Sequence, residues 1–395
     1  MADLQLSQRV NRIKPSPTLA VNGKAAELRA QGKDIISLSV GEPDFDTPEH
    51  IKQAAIAAIE AGKTKYTAVG GTPSLKQAIV EKFERENNLS YSAEQILVST
   101  GGKQSIFNLA LALLNHGDEV IIPAPYWVSY PDIALVAGAT PVFIETDVTQ
   151  NFKVTPEQLE AAITPKTRLF MINSPSNPSG MAYTREELAA LGEVLLRHPQ
   201  VFIATDDMYE HILWTEAPFV NIVNTTPELY ERTVVLNGVS KAYSMTGWRI
   251  GYCAGPAELI SAMAKVQSQS TSNPSSIGQE AAEAALRGGN ECVKDMLKAF
   301  KERHDYVVAA LNDLPGVTCL AGDGTFYAFA DFNQAIKDLG LEDDLALAER
   351  FLEAGVAIVP GSAFGTPGCM RLSFAISLDT LKEAIARIGK ALGKK

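Results

Sequence analysis

The sequence predicts an α/β protein: a mostly parallel seven-stranded sheet with helices on both faces, followed by a smaller α+β domain. Three observations predict it. Seven short runs rich in Val, Ile and Phe, each bounded by turn residues, alternate with segments whose apolar residues recur every three or four positions. That alternation is the pattern of strands joined by crossover helices. After about residue 290 it lapses, and strand-like runs stand beside helices without strict order. Finally, 395 residues with 46% hydrophobic and 21% charged character suit a chain that buries a large core rather than a disordered or collagen-like one.

The first 45 residues are turn-rich, with Pro15, Pro17, Gly41 and Pro43. Within them a helical stretch over 18–31 leads into a short apolar run, 35–40. PEHIKQAAIAAIEAG and PSLKQAIVEKFEREN then read as helices. The buried strands fall at QILVST (95–100), DEVIIPA (118–124), TPVFIET (140–146), RLFMIN (168–173), QVFIATD (200–206), RTVVLNG (232–238) and RIGYCAG (249–255). A long amphipathic helix over 291–314 precedes VTCLAG, TFYAFADF, VAIVPG and MRLSFA, and LDTLKEAIARIGKAL closes the chain as a helix. The expected division is a segment 1–45 packing with the small domain, a large domain 46–290 and a small domain 291–395.

Lys and Arg total 35 against 46 Asp and Glu, a net charge of −11. That balance argues against binding nucleic acid or an anionic membrane, which need a positive surface. No stretch reaches the ~18–20 apolar residues of a membrane span. The opening MADLQLSQRVNRIKPSP is polar where a signal peptide is apolar, so the expected location is the cytoplasm. Cys253, Cys292, Cys319 and Cys369 form no C-x-x-C pair and read as reduced thiols. The histidines at 50, 116, 198, 211 and 304 lack ligand spacing, so no metal site is expected. AGKT (61–64) lacks the earlier glycine of a phosphate-binding loop, since Ala57 stands there.

In open α/β sheets ligands collect where strands end at their carboxyl edge. After QILVST come Gly101, Gly102 and Lys103 opening a helix, whose free N–H groups suit a phosphate; a plain strand–helix turn would look the same. Trp127 follows the second strand and could stack on a flat ligand or simply fill core. Asn177 lies in the turn SPSNPSG. Asp206 ends the fifth strand, ahead of Asp207 and Tyr209, and could equally cap a helix. Lys241 follows the sixth strand, and Arg249 lies eight residues on. A lysine at a strand end is ordinarily a solvated charge, but beside other cations its pKa falls and it becomes a nucleophile toward aldehydes. Together these groups supply what pyridoxal 5'-phosphate (PLP) needs: an amine for its aldehyde, an acid for its ring nitrogen, and N–H groups with an arginine for its phosphate.

Over nearly the whole chain, the segments GEPDFDTP (41–48), KTKYTAVGG (63–71), GGKQSIFNLALALL (101–114), PAPYWVSYP (123–131), NSPSNPSG (173–180), TDDMYEHI (205–212), SKAYSMTGWRIGY (240–252) and MRLSFA (370–375) resemble the fold-type I PLP-dependent aminotransferases. The likeness is to the class I aspartate aminotransferases, bacterial subgroup Ib above all. It implies that Lys241 bonds the aldehyde and shuttles the substrate proton, and that Asp206, as the first acid after its strand, pairs with the ring nitrogen. Tyr209 and Asn177 would hydrogen-bond the ring oxygen, and Trp127 would stack on the ring. Arg249, Ser240 and the backbone of Gly102 and Lys103 would hold the phosphate, joined by Tyr66 from a neighbouring subunit in a homodimer with a shared active site. Arg371 would clamp the substrate α-carboxylate, with the Gly41 backbone touching the same group. Lys103, Ser16 and Thr18 would take the distal carboxylate. Gly238 departs from the family, whose members often have Ser or Thr there as a phosphate ligand.

The implied partners are small amino acids and 2-oxo acids, and the implied reaction is aspartate:2-oxoglutarate transamination. Prephenate or aromatic transamination on the same fold is the alternative. A PLP-responsive transcription regulator fits poorly, because the pattern begins within the first 40 residues and no basic DNA-binding domain accompanies it. A sulfur lyase would use the same lysine.

Overall fold

The computed structural model describes residues 4–394. Strand β1 is Ile36–Ser37, and the seven strands expected from the sequence follow as β2 (Ile96–Ser99), β3 (Glu119–Pro123), β4 (Thr140–Ile144), β5 (Thr167–Asn173), β6 (Phe202–Asp206), β7 (Thr233–Gly238) and β8 (Gly251–Ala254). β2 to β8 form one sheet in the order β2-β8-β7-β6-β5-β3-β4. Every pairing is parallel except those of β8, which runs antiparallel to both β2 and β7.

Side chains alternate across this sheet with the period of two that strand geometry imposes. Val120, Leu169, Met171, Ala204, Val234, Leu236 and Cys253 meet one apolar layer, with Leu109, Ile133 and Met263 of the covering helices. Their neighbours Ile121, Phe170, Ile172, Ile203, Val235 and Tyr252 meet the other, with Phe83, Leu191 and Ala282. With both faces covered, the strands read as continuous apolar runs. One expectation needs correction. TPVFIET is buried only in part: β4 is an edge strand, Ile144 and Thr146 are buried but Phe143 is 45% exposed and stacks on Tyr126, and Pro141 is tolerated because an edge leaves its missing N–H without cost.

Beyond the helix Glu291–Asn312 lie β9 (Thr318–Cys319), β10 (Tyr327–Asp331), β11 (Val356–Ala357), β12 (Val359–Pro360) and β13 (Cys369–Ser373), and then the closing helix Leu378–Ala391. β12-β13-β10-β9 form an antiparallel sheet around Phe300, Phe326, Phe332, Phe351 and Ile388. The helix Pro17–Ala30 packs Ala25 and Leu28 beside Ala357, and β1 pairs parallel with β11. Of the apolar run 35–40, only these two residues become strand. A short helix, Gln8–Arg12, that the pattern does not predict buries nothing of its own. Among the described residues no helix is long and apolar enough to cross a membrane.

Candidate active site

A cavity of about 310 Å³ opens at the carboxyl edge of the large sheet. Strand polarity explains what lines it. β2, β3, β5, β6 and β7 deliver the residues that follow them: Gly102 and Lys103, Trp127, Asn177, Asp206 and Tyr209, Ser240 and Lys241. β8 runs the other way, so it delivers the residue that precedes it, Arg249. The small sheet contributes Arg371 from β13, and the N-terminal segment contributes Ser16, Thr18 and Gly41. Thirteen of the fourteen residues singled out in the sequence therefore share one cavity. Tyr66 does not line it: its side chain stands 93% exposed on the surface.

Lys241 is half-buried, and its Nζ donates to the carbonyl of Gly41 at 2.7 Å. Burial lowers its pKa to about 8, with Arg371 and Arg249 pushing the same way against Glu42 and Asp206. Asp206 shifts upward, again chiefly by burial, opposed by a hydrogen bond from Tyr130 Oη at 2.6 Å and one from the Met208 amide at 3.3 Å. Its neighbour Asp207 points elsewhere, accepting from Thr205 Oγ1 and Asn221 Nδ2. Tyr209 Oη lies 3.1 Å from Tyr327 Oη.

Arg371 is held on several sides. Its Nη1 donates to Asn177 Oδ1 at 3.0 Å and its Nη2 to the Ser39 carbonyl at 2.7 Å, while its guanidinium lies 4.4 Å from the centre of the Tyr327 ring. Its buried Nε has no partner among the described residues. A buried donor left unpaired costs free energy, so an acceptor entering the cavity is favoured. Lys103 Nζ sits 4.9 Å over the Trp127 ring, and burial, then Arg249, lowers its pKa.

The glycines are required by space. Gly101 has φ +83°, and a Cβ there would collide with the Arg249 guanidinium. A Cβ on Gly102 would come within 2.6 Å of Met208 Cε, and one on Gly251 would strike the Gly102 amide. The N-terminus of the helix Gly102–Leu113 is thus bare backbone facing Arg249, a cradle for an anion. Gly238 has a reason as well: a Cβ there would lie 3.1 Å from Gly251 Cα, too close for Ser or Thr without moving β8. These residues fit PLP: a half-buried amine of lowered pKa, a buried acid, a flat ring, and an anion cradle with an arginine.

Sequence reasoning missed Tyr130, Tyr327 and Asn173. Asn173 lines the cavity and donates to the Asp206 carbonyl, and Tyr327 packs where any Cβ on Gly41 would be. Tyr130 lies within PAPYWVSYP, but nothing in that motif marks where its hydroxyl goes. Glu86, Glu210 and His211 bring ligand-type atoms within 4.8 Å of one another away from the cavity, but the buried amine of Lys82 already bonds Glu210 there.

A family model described as "Aminotransferase class I and II" matches residues 33–388. The Nitrosomonas europaea protein named "Aspartate/prephenate aminotransferase" is 62% identical, covering 98% of this chain and 100% of that protein. "Aspartate aminotransferase" of Geobacillus stearothermophilus is 50% identical, covering 98% of both. The solved aspartate aminotransferase of Rhizobium meliloti superposes with a TM-score of 0.95 at 49% identity and 99% coverage of both chains. That of Thermus thermophilus with maleate gives 0.93 at 44% identity, over 98% of this chain and 100% of that one. With cavity, fold and full-length relatives in agreement, this chain belongs to the class I and II aminotransferase family.

Proposed function

We propose that this protein is a PLP-dependent aspartate aminotransferase, moving the amino group of L-aspartate to 2-oxoglutarate in two half-reactions on one site. The observation that carries the reading is the amine of Lys241, of lowered pKa, lining the same cavity as the guanidinium of Arg371. PLP, when bound, supplies an electron sink for the charge that develops at the substrate α-carbon.

The residues do the rest. Lys241 Nζ anchors the aldehyde and then carries the proton on and off the α-carbon, a task suited to an amine that is partly neutral near its pKa of about 8. The Asp206 carboxylate holds the ring-nitrogen proton, Tyr209 and Asn177 donate to the ring oxygen, and Trp127 covers the ring face. The amides of Gly102 and Lys103, with Ser240 and Arg249, take the phosphate. Tyr66 reaches the phosphate of a second copy, which makes the unit a homodimer, and its exposure leaves it free to do so. Arg371 receives the α-carboxylate as a bidentate fork beside the Gly41 backbone. Lys103, Ser16 and Thr18 take the distal carboxylate, consistent with the dicarboxylate maleate in the Thermus thermophilus structure. The chain divides functionally into 1–45, 46–290 and 291–395, and acts in the cytoplasm, where its four free cysteines stay reduced.

Prephenate is a second acceptor on this reading, favoured by the name of the 62%-identical relative. A screen of amino donors and 2-oxo acids with added PLP tests both. The expected result is turnover of aspartate with 2-oxoglutarate, with prephenate in the same panel. Turnover of alanine or kynurenine without aspartate overturns the specificity. Borohydride treatment of the PLP-loaded chain must label Lys241.

A further inference from the structure

Asp206 is a carboxylate placed where carboxylates are costly. It is buried at the end of β6, and what keeps such a group ionised is the donors around it. The Met208 amide serves Oδ1 at a stretched 3.3 Å. Oδ2 is served at 2.6 Å by the hydroxyl of Tyr130, from the first turn of the helix Ser129–Ala137 after β3. The titratable groups around Asp206 are Tyr130 on that helix, Asp207 and Tyr209 on its own segment, and Lys241 from the loop after β7. Of these, Tyr130 is the one whose side chain hydrogen-bonds the carboxylate.

The phenol is itself fixed. Trp127 meets its ring edge-on, with centroids 5.4 Å apart and planes at 82°, and Lys103 caps the far partner of that pair, the indole. Tyr130 is buried and lies outside the cavity wall, so a bound molecule meets Asp206 and not the phenol behind it.

We infer that Tyr130 is a positioning residue of the active site, its hydroxyl holding the Asp206 carboxylate toward the cavity and supplying the donor that a buried anion needs. The inference rests on the reading of Asp206 as the partner of the PLP ring nitrogen. It places on a residue that never touches the cofactor part of the control over how firmly the ring is held. A short hydrogen bond to an ionised group, once removed, also leaves the buried carboxylate easier to protonate, so its loss acts most at low pH.

The test titrates PLP into the full chain stripped of cofactor, followed by absorbance across pH, for the parent, Tyr130→Phe, Asp206→Asn and the double variant. Tyr130→Phe keeps the ring and its packing. It is expected to bind PLP roughly tenfold more weakly near neutrality, the scale of one hydrogen bond to a charged group, and to lose PLP at a higher pH on acidification. In the Asp206→Asn background the same substitution is expected to change affinity little, since the effect runs through the carboxylate. Equal losses in both backgrounds would mean that the phenol only packs, and would overturn the proposal. So would parental affinity and pH midpoint in Tyr130→Phe while Asp206→Asn binds weakly. If Asp206→Asn itself binds like the parent, proposal and underlying reading fall together, and that result separates the two failures.

Discussion

Arg371 enters the cavity with two nitrogens engaged and a third free, which is a guanidinium oriented before any substrate arrives. Pre-set geometry spares a binding step the entropy of ordering a long side chain. Arg371→Ala should therefore lower kcat/KM for aspartate by about 100-fold or more, the scale of ~3 kcal/mol for a buried charge losing its partner. Arg371→Lys should recover little, because an ammonium cannot form the fork. Equal efficiency in steady-state assays of the variants and parent would contradict the assigned clamp.

Lys241 makes a prediction about stability. In the fold its pKa is about 8, whereas an unfolded lysine titrates near ~10.4. Between those values the unfolded chain binds the extra proton, so the cofactor-free protein gains stability as pH rises through that window. The full contribution of this one group is at most about 3 kcal/mol, and below pH ~8 its penalty is fully present. Lys241→Met should remove the rise, seen as a smaller difference between urea midpoints at about pH 7.5 and about pH 10. A parent no more pH-dependent than the variant would count against the buried amine.

Among elements, what was legible in the sequence followed from periodicity. Runs buried on both faces announce themselves, and six of the seven large-sheet strands lie where Val, Ile and Phe cluster, β8 (GYCA) being the exception. The edge position of β4 was not legible, because pairing partners are a matter of topology and Phe143 looks the same in an edge strand as in a core. The reversal of β8 was equally hidden, although it explains why an arginine before a strand joins groups that follow strands. Cavity-lining residues inside recognisable motifs stood out. Tyr327 and Tyr130 did not, since a tyrosine within an apolar run carries no mark of where its hydroxyl goes.

The turn between β2 and its helix yields a prediction at this scale. Gly101→Ala forces a side chain onto an extended positive-φ backbone that glycine alone adopts readily, at a cost of about 1–3 kcal/mol, and drives a methyl into Arg249. Both a lower Tm and weaker PLP binding are expected, the second by absorbance titration. A variant that melts early yet binds PLP like the parent would show that the cradle does not depend on this turn.

For the whole molecule, the shared-site reading of Tyr66 has a mixing test. Tyr66→Ala and Lys241→Ala chains, each deficient alone, pair at random into species with one complete site, so about a quarter of all sites should bind PLP at parental affinity. No such sites after mixing would count against the homodimer with crossed contributions. Such an assembly is not written in one chain's periodicity; the reading turns on a side chain that its own fold leaves exposed.

The start of the chain is fastened at two places. The Lys14 amide bonds the Asp132 carboxylate on the helix Ser129–Ala137, and Ile36 and Leu38 bond the carbonyls of Gly355 and Ala357 on the small-sheet side. Ser16 and Thr18 lie between these two points in the chain and line the cavity. Ser16 caps and Thr18 opens the helix Pro17–Ala30, whose Ala25 and Leu28 pack beside Ala357, so the two hydroxyls are set in place from the small-sheet side and the Lys14 bond ties them to the large one.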